Sequence, residues 1–298
     1  MLVAPGDLVS LVAALGWAAT TVLARYISRD IPALWYNALR IAIAALVMLA
    51  VAPWTLARID LTAVSMTAYS LLLVSVLTGF AIGDTAFFES MRRIGVARAA
   101  PIAGCHPLVT ALLAVAFLGE PVTLTLLVGV VMIVLGVWII TTDRDPAQTG
   151  RGASGGMLFG AVLSLIAAVG WATSTVMVQP ALLEVDSIVA STIRLPFATL
   201  VLCLAAARLR RFDSRRLHLK RGTSAWLLFA GLLTVASATL FLWSVELVGA
   251  ARTAAISSVS PVFSATIAVL LLGERMTPRL ALGMGISLSG VLAIVAVG

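Results

Sequence analysis

Apolar residues run along this chain in long blocks separated by short polar breaks, and within a block they do not alternate. The stretch LLVGVVMIVLGVWII at 126–140 is typical. About 20 apolar residues at ~1.5 Å each cross the ~30 Å hydrocarbon core of a bilayer. Each block therefore predicts a transmembrane helix. Ten are expected, near 8–27, 33–54, 65–91, 97–118, 122–141, 156–178, 187–207, 224–246, 251–272 and 279–297. Membrane β-strands would instead read as ~10-residue alternating segments. The fold class expected is an all-α polytopic membrane protein, with short loops and no extramembrane domain. The opening MLVAPGDLVS has no Lys or Arg, so it lacks a signal peptide's basic region and the first block is expected to stay in the mature protein.

The pattern repeats. Shifted by 154 residues, the chain aligns with itself without a gap. Gly16-Trp17-Ala18 meets Gly170-Trp171-Ala172, and Arg40 meets Arg194. Gly95 and Arg98 meet Gly249 and Arg252, and Pro107 meets Pro261. Gly119-Glu120 meets Gly273-Glu274, and Gly129 and Gly136 meet Gly283 and Gly290. Alanine and leucine would coincide by chance in so apolar a chain. Trp, Arg, Pro and Gly-Glu in one register indicate a duplication. Five spans per half is an odd number, so the second half is expected upside down relative to the first. Such inverted repeats are common in secondary transporters, with the substrate site near the midplane between them. The expected units are 1–141 and 156–298, joined by a Gly-, Pro- and Asp-rich linker at 142–155.

Composition agrees and narrows the function. Of 298 residues, 61% are apolar and 11% charged, against about 45–50% and 25% in soluble domains. That excludes a soluble enzyme and a disulfide scaffold. Cys105 and Cys203 lie in apolar stretches, and His106 and His218 cannot supply a metal cluster of usual spacing. No phosphate-cradling glycine loop with Lys points to ATP drive. No cofactor, metal or nucleic-acid partner is expected. The partners expected are a small-molecule substrate, a coupling proton or other ion, and the lipid bilayer, with the protein a monomer or homodimer.

The chain resembles the ten-helix EamA-type transporters of the drug/metabolite transporter superfamily over about 8–141 and 156–298. The resemblance is carried by Gly-Trp-Ala in the first helix of each half, Arg in the second, and the stretch GDTAFFESMRRIGVARAAPIAGCHPLVTALLAVAFLGE at 83–120. That stretch returns in looser form at 240–274. The resemblance implies movement of small metabolites, often amino acids, with export the expected direction. It also implies a multi-pass cell-membrane location and a central cavity lined by helices 1, 3, 4, 6, 8 and 9, with helices 5 and 10 peripheral. The first helix has no acidic residue at its middle, so the membrane glutamate of the related small multidrug pumps has no counterpart.

Ionisable groups at membrane depth cost about 2.5–3.5 kcal/mol on insertion scales and usually face a cavity or a partner. Arg40, Asp84 and His106 each fall roughly 10–14 Å below the same surface, at ~1.5 Å per helical residue. One reading makes them a shared site, with Asp84 coupling to a proton, Arg40 holding an anionic group or Asp84 itself, and His106 relaying a proton. The other reading is an Arg40–Asp84 pair that fixes packing. The repeat weighs on the choice: Arg40 has the mate Arg194, whereas Asp84 meets Ala238 and His106 meets Ser260. Shared residues lean towards architecture and unshared ones towards chemistry. Arg194 is expected to pair with Glu246, and Glu89 with Arg92 and Arg93 one helical turn on. Trp17 and Trp171 fall near mid-membrane, away from the interfacial belt where Trp is usual, and are expected on cavity walls or in plain packing. Pro107 and Pro261 are expected to bend helices 4 and 9. Ser260 completes the candidate substrate site of Trp17, Arg40, Asp84, His106, Trp171, Arg194 and Ser260.

Apart from Arg40 and Arg194, sixteen of 18 Lys and Arg fall on one side of the expected topology, seven of them in ARLRRFDSRRLHLKRG. The positive-inside rule puts that side in the cytoplasm and both termini outside, whereas the resemblance implies termini inside. The leading function is a secondary transporter of small, amino-acid-like metabolites. The alternatives are a sugar-phosphate or nucleotide-sugar carrier of the same superfamily, which would want several cavity cations, and an intramembrane enzyme, for which paired acids or a Ser/His pair are missing.

Overall fold

The computed structural model describes residues 4–27, 31–94, 99, 102–121, 123–142, 154–208, 221–272 and 277–297. Most of the expected linker, Gly95, Arg98, Gly273-Glu274 and the centre of the basic run lie outside the described residues. Ten helices account for most of what is described: α1 (Pro5–Ile27), α2 (Ala33–Leu56), α3 (Met66–Ile94), α4 (His106–Leu118), α5 (Leu124–Thr142), α6 (Ser154–Ala181), α7 (Ser187–Arg208), α8 (Arg221–Val248), α9 and α10 (Pro278–Val297). Helix α9 comes in two pieces, α9a (Ala250–Ser257) and α9b (Ser260–Leu272). No strand occurs among the described residues. Among the described residues, six helices are long and apolar enough to cross a bilayer whole, α2, α3 and α7 among them.

Two departures from the sequence expectation have clear causes. The prolines do not bend continuous helices. The chain turns at Gly104-Cys105 and at Ser258-Val259, and new helices start at His106 and Ser260. Proline is tolerated in a first helical turn, where its missing N–H is no loss. Position 104 shifted by 154 is 258, so the two breaks share one register. Helix α3 is also not uniform, because Leu77–Asp84 is wound as a π-helix. Such segments are rare and concentrate at functional sites.

Many large apolar side chains point outward. Leu46, Leu112, Phe117, Leu124, Leu270 and Leu292 are all more than half exposed, as a hydrocarbon environment allows. The interior is lined largely by Ala, Gly, Ser and Thr, the residues that let membrane helices approach closely. Trp54, Trp138, Trp226 and Trp243 are exposed near helix ends, where interfacial tryptophan belongs.

Helix α1 packs on α8 and α9, α6 on α3 and α4, α2 on α7, and α5 on α10. A shift of 154 maps this set of contacts onto itself. The detail repeats too. Ser90 Oγ donates to the Gly160 carbonyl (2.7 Å) and bonds Ser164, while Ser244 Oγ donates to the Gly6 carbonyl (3.0 Å) and bonds Ser10. Asn37 donates to Thr85 Oγ1 and Thr239 to Ser191 Oγ, both at 3.0 Å. Helices α5 and α10 run antiparallel, with Gly129 against Gly290 and Gly136 against Gly283. A Cβ on Gly136 would lie 2.5 Å from the Gly283 carbonyl oxygen, and one on Gly290 2.6 Å from that of Gly129.

On the surface shared by the two termini, Glu120 reaches from the end of α4 to the start of α9a. It accepts from the Ala250 N–H (3.0 Å) and the Ala251 N–H (3.2 Å), and Gln179 Oε1 accepts from Ala250 (2.6 Å). Gly249 allows this approach: its φ is 84°, and a Cβ there would sit 2.7 Å from Glu120 Oε1. On the same surface Arg252 holds Asp7 through two bonds of 2.7 and 2.8 Å. Glu184 accepts from the Ser65 N–H and hydroxyl, both at 2.7 Å. These bonds hold the Glu184 carboxyl below the usual carboxylate range.

Replacing Gly136 or Gly290 by Ala should lower stability in detergent by about 1–3 kcal/mol, the range for overpacking, because the new methyl meets backbone of the facing helix as well as side chains. Thermal unfolding followed by intrinsic fluorescence measures it. Gly285→Ala is the control, since nothing lies within 4 Å of a Cβ there.

Candidate functional site

The site is built around the π segment of α3. Asp84 closes that segment and is buried. Arg40 of α2, 1% exposed, forms a salt bridge with Asp84. The same guanidinium nitrogen, Nη2, donates to Asn37 Oδ1 at 2.8 Å, and Asn37 in turn donates to the Phe80 carbonyl at 2.8 Å. The second Asp84 oxygen accepts from the Trp171 indole N–H of α6, at 2.8 Å. The carboxylate is thus gripped by a cation from its own half and a neutral donor from the other.

Aromatic rings surround the Arg40 head. Its Cζ lies 5.9 Å from the Trp17 ring centroid, 6.0 Å from Tyr36 and 5.3 Å from Phe88. Arginine over a ring face is favourable, more so where water is excluded. The cluster continues to His106, whose ring meets Trp171 edge-on at 5.7 Å. Its Nδ1 is buried, with the Ala103 backbone, one turn earlier, as its hydrogen-bonding neighbour. Close packing of α3 on α6 makes this reach feasible. A Cβ on Gly170 would sit 2.5 Å from the Thr78 carbonyl oxygen, and one on Gly83 2.9 Å from the Trp171 ring.

Five of the seven sequence candidates therefore meet: Trp17, Arg40, Asp84, His106 and Trp171. Arg194 and Ser260 do not join them. Ser260 opens α9b, half-buried, and makes no hydrogen bond to the cluster among the described residues. Arg194 does not pair with Glu246 as expected. Glu246 is taken by the Ser187 backbone N–H at the start of α7 (3.2 Å), a helix end that needs an acceptor. Arg194 instead reaches Ser75 Oγ of α3 (2.9 Å) and Ser174 Oγ of α6 (3.3 Å), with its Cζ 5.5 Å from the Phe80 ring. Glu89 pairs with Arg92 and Arg93 as expected, at 2.7 and 2.8 Å.

Asn37 and Ser75 were missed in the sequence. Asn37 carried a usable signal, an amide three residues from Arg40 inside an apolar run, and i,i+3 residues share a helix face. Ser75 carried none, since a lone serine in a membrane helix usually bonds its own backbone. Thr20, Thr21 and Thr175 do that here, donating to the carbonyls of Gly16, Trp17 and Trp171. A groove of about 260 Å³ between α4 and α5 is lined only by Leu, Val and Ala and holds none of these polar groups.

An all-helical chain with apolar spans, lipid-type exposure and a charge cluster at membrane depth defines a polytopic membrane protein with an intramembrane polar site. The EamA-like transporter family matches it twice, over residues 4–142 and 158–296. An uncharacterized transporter from Archaeoglobus fulgidus is 27% identical over 295 residues, 96% of each chain. The uncharacterized transporter YvbV from Bacillus subtilis is 31% identical over 145 residues, 48% of this chain and 46% of that one. A crystal structure of a protein 19% identical in sequence shares the fold with a TM-score of 0.76, covering 97% of this chain and 95% of the other. The chain belongs to the EamA-like transporter family, within the drug/metabolite transporter superfamily.

The buried ion pair should be worth more whole than in halves. Arg40→Leu should destabilise the protein by about 3–5 kcal/mol, because it strands Asp84. The double variant Arg40→Leu/Asp84→Leu should recover most of that loss. Thermal unfolding of the three proteins in one detergent tests this, and additive losses would contradict it.

Proposed function

We propose that this protein is a secondary active transporter of small, amino-acid-like metabolites in the cell membrane, working in the export direction by alternating access. The observation that carries the reading is the Arg40–Asp84–Trp171 cluster. It lies at membrane depth, joins α2 and α3 to α6 of the other half, and has the His106 ring against Trp171 beside it. Buried ionisable groups of this kind mark transport or proton pathways in membrane proteins.

The halves act as two inverted five-helix repeats, 1–141 and 156–298, joined at 142–155. The antiparallel Gly129–Gly290 and Gly136–Gly283 contacts and the doubled serine and threonine bonds support that reading. Rocking {α1, α8, α9} against {α3, α4, α6} would open one surface and close the other. Glu120 and Gln179 cross between these two groups to cap α9a. They serve as the latch that holds the termini-side surface shut.

Coupling runs through Asp84. When it is ionised it holds Arg40 and Trp171. Protonation weakens the ion pair and frees α2 from α3, and His106, edge-on to Trp171, is the neighbouring group that can exchange a proton with the site. Trp17 and Trp171 form the walls against which the substrate packs.

Proteoliposomes loaded with a metabolite panel, with and without a pH gradient, test the function. Asp84→Asn removes the titratable charge and keeps one acceptor oxygen, which can serve either Arg40 or Trp171 but not both. It should remove gradient-driven flux by at least tenfold while the protein, melting lower because Arg40 is left unpaired, still elutes as a folded species. Flux at the wild-type rate in that variant would exclude Asp84 as the coupling group.

A further inference from the structure

Arg40 and Arg194 occupy one register of the repeat, yet their charges are handled differently. Asp84 neutralises Arg40. The mate of Asp84 is Ala238, and Arg194 has no carboxylate within ion-pair reach among the described residues. It is nonetheless 5% exposed, on a helix that crosses the membrane.

The groups that hold Arg194 orient it without compensating its charge. Ser75 Oγ accepts from Arg194 Nε while giving its own proton to the Leu72 carbonyl at 2.6 Å. Ser174 Oγ accepts from Nη2 while giving its proton to the Ser75 carbonyl at 2.6 Å. Both hydroxyl protons are committed to backbone, so both oxygens face the guanidinium as fixed dipoles. The Phe80 ring adds a partial offset. A net positive charge remains, and an isolated buried charge is costly unless it is paired.

Ser75 precedes the π segment and Asp84 ends it, nine residues on, roughly 12–13 Å apart along the helix. Trp171 and Ser174, three residues apart on α6, contact the two ends. The two arginines therefore flank one stretch of α3, one paired with a carboxylate and the other not.

We propose that Arg194 is the docking point for the carboxylate of the transported solute, which makes that solute a small carboxylate-bearing anion or zwitterion. The proposal rests on the transporter reading above and adds the substrate's charged group to it. Guanidinium is suited to the task, because its planar fork matches a carboxylate through two parallel hydrogen bonds. An arriving carboxylate completes in the second half the pairing that Asp84 makes permanent in the first. Binding and coupling then sit on separate charges, the solute at Arg194 and the proton at Asp84.

The full-length protein in detergent is probed by thermal unfolding with L-leucine, L-glutamate, benzoate and succinate, each beside its amide or methyl ester, and with inorganic phosphate. At least one carboxylate should raise the melting temperature, and its neutral-headed partner should not. Arg194→Gln should abolish the shift, and Arg194→Lys should raise the half-saturating concentration several-fold. Ala238→Asp should also abolish it. That variant keeps Arg194 and places a carboxylate at the repeat position of Asp84, on α8 packed against α7, so it answers the question even where Arg194→Gln fails to fold. The proposal is overturned if no carboxylate shifts the melting temperature, if only phosphate does, if amide and acid act alike, or if the shift survives Ala238→Asp. Counterflow in proteoliposomes separates this outcome from the transporter reading. Carboxylate binding without flux retains the Arg194 site and removes transport. Flux of solutes lacking any anionic group, indifferent to Arg194→Lys, retains transport and removes the site.

Discussion

A guanidinium held at membrane depth has to find a counter-charge, and the rest of this molecule is arranged around that need. Arg40 is almost fully buried. Its partner Asp84 must come from another helix, and a lone carboxylate would be as costly as a lone cation. Once α2 and α3 are tied by that pair, the second Asp84 oxygen requires a donor, and Trp171 brings α6 into contact. The glycines at 79, 83 and 170 follow from the same demand, since any side chain there would hold α3 and α6 apart. Asn37 joins the Arg40 head to the Phe80 carbonyl inside the π segment, where regular helical hydrogen bonding is interrupted.

Much of this was legible from residues alone. Block length gave the helices, and the constant register of Trp, Arg and Gly-Glu gave the two halves. Counting residues from helix ends put Arg40, Asp84 and His106 at one depth. What counting could not supply was rotation about each helix axis. Depth made Glu246 as good a partner for Arg194 as any, and the α7 backbone took it first through Ser187. The π segment was hidden for a related reason. Gly79 and Gly83 announce close packing, but nothing local to LTGFAIGD fixes an extra residue per turn. The prolines were read as bends because each lies inside a long apolar block. The chain breaks one turn earlier, so that Pro107 and Pro261 fall where a missing N–H is harmless.

The repeat separates scaffold from chemistry more finely than burial does. The serine pairs at helix ends, the Asn37–Thr85 and Thr239–Ser191 bonds, and the Gly contacts all occur twice. The ion pair occurs once. Trp17 and Trp171 show the same division within one motif: both sit near the same arginine cluster, but only Trp171 has a carboxylate to bond.

The contacts between α5 and α10 have a consequence for how such a chain can evolve. Gly129 does not face its own duplicate, Gly283, but the duplicate of Gly136, and the reverse holds on the other side. Each glycine answers to a residue that holds a different repeat position in the other half. The seam therefore ties the two copies into a joint history, and drift in one is felt at once in the other. Positions 84 and 238 carry no such mutual tie, and there the two halves differ, with Asp on one side and Ala on the other.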